Sequence, residues 1–541
     1  MRFNPKCGWF AAFTAVFAVF AAFVFWGTWS PSTVPVMPDC PTSYSSHWFV
    51  DAFHGWLESG KFAPAEALNW IGSPAIWTEF QYAFAVYMSG LALAWFLLGR
   101  GLKPLAAYGA GLFLGFSGYW LTLFSAGHLG WFQWMTYGVF AFGLIDRALE
   151  VGRFRSWLLL GAVLAWGSMR QADLWLLFTV FSAAYFVFRL VVTFRGLPAE
   201  TRRLWLVSRS KGAVCALLSL LVIGLAGFRS AFVNDLAGRD KQIAEGETLG
   251  SAAAGADESE KRWVFVTNWS MPPEATKEFF LSRCEGDTSC PLTLAIGQKA
   301  GTGVRPYTGR LGRPLGAPSG NYRQHSLYVG FLTCLLAFVG AVAGCRRRSS
   351  TVVFLTAAAF VFWLFSLGRF CEPVYRCVFA LPFGDYLRAP VKWHHLTEFC
   401  LVALAGFGLD ALLGLTGRLA PARVVTAVFG VIVLVGVFDL ASNARLYCAP
   451  HRVNTDLQFA DARILQDPRG LAQLQQMKGR VVGRIMSAAL VELPNNRAND
   501  APSKRPETNG TVLLLAILSL VGTLSVGTFA VVSKLREEKS S

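Results

Sequence analysis

Apolar runs long enough to cross a lipid bilayer recur along the whole chain, and no other feature restricts its fold as strongly. A helix needs about 20 mostly apolar residues to span about 30 Å of hydrocarbon. Runs of this kind fall at 9–29, 77–98, 104–124, 129–146, 155–169, 173–194, 212–229, 326–344, 351–368, 394–414, 423–441 and 511–532. The fifth is the shortest. Segment 374–386 is apolar but too short to span, and Pro382 interrupts it, so a re-entrant or interfacial piece is expected there. One aqueous core could not bury so many runs. The expected fold is an all-α polytopic membrane protein with about 12 transmembrane helices. Composition agrees: 54% of residues are hydrophobic and 15% are charged, against about 25% charged in soluble domains.

The formal net charge of +16 raises the question of a nucleic-acid partner. The basic residues argue against one, because they sit in short loops between apolar runs and form no contiguous stripe. With the N-terminus inside and sides alternating, the inside segments carry Arg2 and Lys6; Arg100 and Lys103; Arg147, Arg153 and Arg155; Arg195, Arg202, Arg203, Arg209 and Lys211; Arg346, Arg347 and Arg348; Arg418 and Arg423; and Lys534, Arg536 and Lys539. Every short inside loop is basic, which satisfies the positive-inside rule over the whole chain. A multi-pass protein of the cytoplasmic membrane is expected, with both termini cytoplasmic. The first run is longer than a signal-peptide core, and no small-x-small site follows in WGTWSPSTVP, so it reads as an anchor.

On this topology all seven histidines (His47, His54, His128, His325, His394, His395 and His451) fall outside or at the outer boundary. So do Cys40, Cys284, Cys290, Cys371, Cys377 and Cys448. The close pairs Cys284/Cys290 and Cys371/Cys377 are disulfide candidates in an oxidising compartment, with Cys40/Cys448 a third combination and free thiols the alternative. The expected units are a seven-helix module over 1–229 with outer loop 30–76, an outer loop at 230–325, and a second membrane module over 326–441 with outer loop 369–393. A small outer segment at 442–510 and a last helix with its tail at 511–541 complete the chain. In the first outer loop, Trp48, Phe49, Phe53, Trp56 and Leu57 are spaced to give one apolar face, suited to an interfacial helix. Segments 248–260 and 494–510 have the composition of flexible chain.

Ionisable groups gather at the outer ends of the runs. The acids are Asp39, Asp51, Glu79, Asp173, Asp385, Glu398 and Asp439, and the bases are Arg170, Arg323, Arg369, Arg376, Arg388 and Lys392. Charges at a bilayer boundary are expensive unless paired or hydrated, which makes them functional candidates. Helix capping and snorkelling are the plain alternative for each. A set of cations backed by aromatics suits an anionic head group such as a phosphate. No P-loop, GxSxG, HExxH or Rossmann fingerprint is present.

Four stretches in order resemble the bacterial YfhO-like membrane proteins, which belong with the GT-C class of lipid-sugar-dependent glycosyltransferases. The first is PDCPTSYSSHWFVDAFHGWLESGKFAP followed by IGSP. The second is LGFSGYWLTLFSAGHLGW at 114–131. The third is SMPPEA at 270–275, with YTGR at 307–310 and YVGFLTCLLA. The fourth is LPFGDYLRAPVKWHHLTEFCLVALAGFGLDALL at 381–413. The resemblance implies a GT-C-like fold with interfacial helices in the first outer loop and small periplasmic insertions. It implies sugar transfer from a polyprenyl-phosphate-linked donor to an extracytoplasmic glycan, lipid or protein acceptor. Such a reaction needs a carboxylate to accept the acceptor hydroxyl proton and cations to stabilise the departing phosphate. By position, Asp39 is the implied base and Asp51 the second choice. Arg388 and Lys392, then Arg323 and Arg170, are the candidates for the donor phosphate. His128, Glu79 and His394 are candidates for sugar or acceptor. No organic cofactor and no metal ligand set is implied, although a divalent metal is compatible with the reaction. Membrane lipids are expected partners and nucleic acid is not. The other readings in play are a transporter or flippase, a polysaccharide polymerase or ligase, and a membrane scaffold.

Overall fold

The computed structural model describes residues 5–25, 33–35, 57, 60–62, 64, 74–122, 129–169, 172–230, 240, 243, 257–282, 326–382, 384–448, 452–454 and 510–540. The chain is predominantly helical in these segments. The helices are α1 (Pro5–Val24), α2 (Pro74–Gly99), α3 (Pro104–Phe116), α4 (Gly118–Thr122), α5 (Leu129–Glu150), α6 (Phe154–Ser168), α7 (Ala172–Gly196), α8 (Ala199–Ser230), α9 (Glu258–Thr267), α10 (Phe331–Arg346), α11 (Ser350–Ser366), α12 (Glu372–Phe379), α13 (His394–Thr416), α14 (Ala422–Cys448) and α15 (Gly510–Ser540). Each predicted apolar run contains helix, the run at 104–124 two helices and the run at 326–344 one that starts only at Phe331. Among the described residues six stretches are long and apolar enough to cross a membrane: Phe80–Gly99, Asp173–Gly196, Ala199–Arg229, Pro390–Thr416, Ala422–Arg445 and Gly510–Ser533, with the bent pair Ser350–Ser366 and Gly368–Phe379 a seventh if it is one span. Gly8–Val24, Pro104–Phe116 and Phe331–Arg346 are shorter apolar helices. Leu217, Leu218, Phe338, Phe360, Val435 and Leu524 are among many large apolar side chains left on the surface, as expected where the solvent is lipid. This is a polytopic α-helical membrane protein.

Two boundaries differ from the sequence expectation. The run at 212–229 extends back to Ala199, so Arg202, Arg203, Arg209 and Lys211 are helical and not in a loop. Pro198 halts the preceding segment, and no breaker lies between it and the apolar run. The run at 104–124 is broken at Ser117, whose extended backbone separates α3 from α4.

Segment 374–386 is not a span. α12 turns away from α11 by 111°, burying Tyr375 and Val378 while Glu372, Arg376 and Cys377 stay exposed. The bend passes through Gly368 at φ +51°, where a Cβ would meet Ser270 Oγ at 2.1 Å. Only glycine suits both conditions. Cys371 and Cys377 are both free thiols; Cys371 ends the 3-10 turn Gly368–Cys371, and Cys377 lies on α12.

Small residues set the tightest helix crossings. A Cβ on Gly340 of α10 would lie 2.1 Å from the Leu404 carbonyl oxygen, and one on Gly408 of α13 would lie 2.0 Å from that of Leu336. Gly90 of α2 and Gly111 of α3 face each other in the same way, at 2.5 and 2.4 Å. Close backbone approach through glycine is a principal way that helices associate in lipid. Away from the helices, Thr33–Pro35 (β1) pairs antiparallel with Arg452–Asn454 (β2), with Val34 opposite Val453. The described part of the first loop also leans on the last helix. Phe62 packs on Ala516, and Ser519 Oγ donates to the Gly60 carbonyl at 3.2 Å.

The basic termini collect at one end. Arg100 and Arg189 both reach Asp146 and Glu150, Arg209 donates to the carbonyls of Leu149 and Glu150, and the Lys103 amide donates to Asp410 at 2.9 Å. At the opposite, distal end lie the starts of α7 and α13 and the break between α3 and α4.

A candidate site at the distal end

Buried polar side chains from three separate parts of the chain meet at the distal end. Pro390–Trp393 forms a 3-10 turn that leads directly into α13. Lys392 on that turn forms an ion pair with Asp173 in the first turn of α7, and their side chains are 7% and 2% exposed. A negative side chain at a helix N-terminus is favourable, so Asp173 answers both the dipole and the lysine. One turn into α13, Glu398 is fully buried. Its Oε1 accepts from Ser117 Oγ at 2.6 Å, at the break between α3 and α4. His395 Nδ1 lies 3.9 Å from Glu398 Oε2, just beyond hydrogen-bond reach. Tyr119 packs against both histidines, with ring centroids 5.0 Å from His394 and 4.4 Å from His395, and Phe279 covers His394 at 4.3 Å. The Tyr119 hydroxyl donates to the Val391 carbonyl at 3.2 Å, tying the helix break to the lysine turn.

The neighbouring layer is built from α9, the turn after it, and residues 366–393. Arg388 lies over two rings, 4.9 Å from Phe265 and 4.4 Å from Trp269. Stacking of this kind holds a guanidinium in place while preserving its charge. The backbone around it is strained. Trp269 and Ala389 have φ of +58° and +66°, and Ala389 precedes a proline, where left-handed geometry is disfavoured. Two hydrogen bonds hold the conformation, from the Ala389 amide to Val266 O at 3.0 Å and from the Val391 amide to Trp269 O at 3.2 Å. Non-glycine residues kept in such conformations cluster at functional sites. Arg369 fastens the same turn, donating to Thr267 O and Asn268 Oδ1 at 3.2 Å each. Further out, Arg262 donates to Asp240 and Glu258, and Arg376 stacks over Trp263 at 4.3 Å. Burial opposes the charge on Arg262, but hydrogen bonding with Asp240, Tyr386 and Glu258 outweighs it and holds the guanidinium above its ordinary pKa.

A cavity of about 540 Å³ lies within the bundle between α2, α5 and α6, lined by Gln81, Met88, Trp95, Thr136, Phe140 and Trp166 among others. Its lining is almost wholly apolar. Gln81 and Trp95 are fourteen residues apart on α2, so the cavity extends about 20 Å along the helices.

Of the residues singled out from sequence, Arg388, Lys392 and His394 come together here, joined by Asp173 and Glu398. Glu79 lies on α2, with its side chain outside the described residues. Asp39, Asp51, His128, Arg170, Arg323, Cys284 and Cys290 also lie outside the described residues, as does the Cys40 partner proposed for Cys448. Among the described residues no group of three or more His, Cys, Asp or Glu side chains could hold a metal. Sequence reasoning missed Ser117 and Tyr119, whose only local signal is the Gly-Phe-Ser-Gly stretch at 115–118 that breaks the helix. It also missed the ion network at the basic end, where Arg189 Nε donates to Asp146 Oδ1 at 2.6 Å and the Tyr185 hydroxyl donates to the same oxygen at 3.0 Å. No known protein family matches the chain, and no curated protein is significantly similar to it.

Proposed function

We propose that this protein is a GT-C-like glycosyltransferase with twelve membrane spans and both termini in the cytoplasm. It moves a sugar from a polyprenyl-phosphate carrier to an acceptor at the outer face of the cytoplasmic membrane. The observation that carries the reading is the convergence of Arg388, Lys392, Asp173, Glu398 and His394 at the distal end of a bundle that also carries an open apolar cavity along its helices. A lipid-linked phosphosugar is an amphiphile, and it calls for these two environments in one protein.

In this reading the acceptor hydroxyl oxygen attacks the anomeric carbon. The bond from that carbon to the phosphate oxygen breaks, and the polyprenyl phosphate leaves with the electron pair. A carboxylate of the first loop, Asp39 or else Asp51, takes the hydroxyl proton. Arg388 meets the charge that builds on the leaving phosphate. Lys392 is already neutralised by Asp173, so its part is to hold the turn that presents Arg388.

The test is a transfer assay with purified protein in lipid and polyprenyl-phosphate sugars as donors, comparing wild type, Asp39→Asn and Asp51→Asn. The expected result is donor consumption by wild type and none by folded Asp39→Asn. Loss only in Asp51→Asn would move the base. No consumption of any donor by folded wild type would sink the reading. A flippase is the second reading, favoured by the charges that α5 and α7 bury between them at Asp146 and Arg189. Movement of lipid-linked sugar across vesicles without any transfer would select it. Products of growing glycan length would indicate a polymerase or ligase.

A further inference from the structure

A second cavity, of about 530 Å³, opens at the basic end between the start of α6 and the N-terminal half of α8. Gly152, Trp157, Val207, Ser208, Lys211 and Cys215 form part of its wall. Trp157 is 2% exposed, and its indole packs against Gly212 of α8. Lys211 is exposed and forms no ion pair with the described residues. The carboxylates nearest in the fold, Asp146 and Glu150, are already engaged by Arg100 and Arg189. Arg209 adds a further positive charge. Its guanidinium donates to Ser208 Oγ at 3.3 Å, leaving the Ser208 hydroxyl proton available as a donor. The uncompensated charge here is positive, and the chemistry that suits it is a phosphate.

The rim of the cavity decides the kind of phosphate. Phe154, Leu204, Val207 and Val214 are 49%, 76%, 47% and 55% exposed, and they border the basic groups at a helix end. A soluble anion gains nothing from such a rim, whereas an amphiphile covers it. We propose that this cavity seats the phosphate head group of one anionic phospholipid. Lys211 and the Ser208 hydroxyl serve the phosphate, and the acyl chains run along Leu204, Val207 and Val214. The assignment is independent of the distal site and of its chemistry.

The full chain would be placed in phosphatidylcholine discs containing a minor share of phosphatidylglycerol. It would then be moved to mild detergent, and the phosphatidylglycerol retained per protein would be counted by native mass spectrometry. A single retained molecule is expected for wild type. Retention should be roughly tenfold weaker in Lys211→Ala, the scale of one charge-assisted hydrogen bond. It should be unchanged in Arg418→Ala, a basic loop residue remote from the cavity. Excess inorganic phosphate should not displace the lipid. Equal retention in wild type and Lys211→Ala, a variant too exposed to threaten folding, would overturn the proposal. So would an equal loss in Arg418→Ala, which would mean diffuse charge, or displacement by inorganic phosphate, which would mean a soluble-anion site.

Discussion

Breaking the Lys392–Asp173 pair one partner at a time should cost far more than removing both. The two side chains are 7% and 2% exposed, so neither charge can turn to solvent when its partner is lost. Removing one partner of a buried pair leaves an uncompensated charge, at a cost of about 3–5 kcal/mol, whereas replacing both with apolar residues of similar size is often nearly neutral. Lys392→Met and Asp173→Leu should therefore each destabilise by about 3–5 kcal/mol. The double variant should fall well short of the sum, by an interaction energy of about 2 kcal/mol or more. The assay is reversible unfolding in mixed micelles, followed by circular dichroism. Single variants costing under about 1 kcal/mol would mean that the pair is solvated. An additive double variant would mean that the two residues do not interact, and either result would refute the packing described for the lysine turn.

Four further outcomes are expected. Gly118→Ala should destabilise by about 1–3 kcal/mol, because the new Cβ would meet Tyr328 O, Asn443 Nδ2 and Ser326 Oγ at 2.8–2.9 Å. Gly430→Ala, with nothing within 4 Å, should be neutral or stabilise α14 by up to about 1 kcal/mol; the same unfolding assay reads both. Gly340→Val should force α10 from α13, since even a Cβ there lies 2.1 Å from a backbone oxygen, and cysteine cross-linking across this crossing should fall sharply. Arg388→Lys keeps the charge but loses the planar stack on Phe265 and Trp269, worth about 1 kcal/mol. On the proposed function it should lower transfer several-fold, with folding unchanged by circular dichroism.

The positions of the helices were legible because lipid imposes a simple rule: each crossing must be apolar over its whole length, and basic loops mark one side. The contacts made by Arg100, Lys103 and Arg209 gather these basic helix ends at one end of the bundle. The candidate site was legible only as a list of residue types. Arg388, Lys392 and His394 stood out because charge at a boundary is conspicuous. That Lys392 is bound to Asp173, 219 residues away, follows from tertiary packing, which no local pattern carries. Ser117 and Glu398 are 281 residues apart and were hidden for the same reason. The network around Asp146 was overlooked because Arg189 looks like an ordinary snorkelling arginine until three helices are seen to close over it.

The strand pair and the seat of Phe62 on the last helix bear on how the protein is made. β1 follows the first helix, yet its partner β2 and the helix beneath Phe62 come far later in the chain. The first loop therefore gains these two supports only after most of the bundle has been made. A chain ending before Gly510 should insert and keep its helicity while lacking the support that Ser519 gives to Gly60. On the proposed function, such a chain would keep its helices and lose transfer.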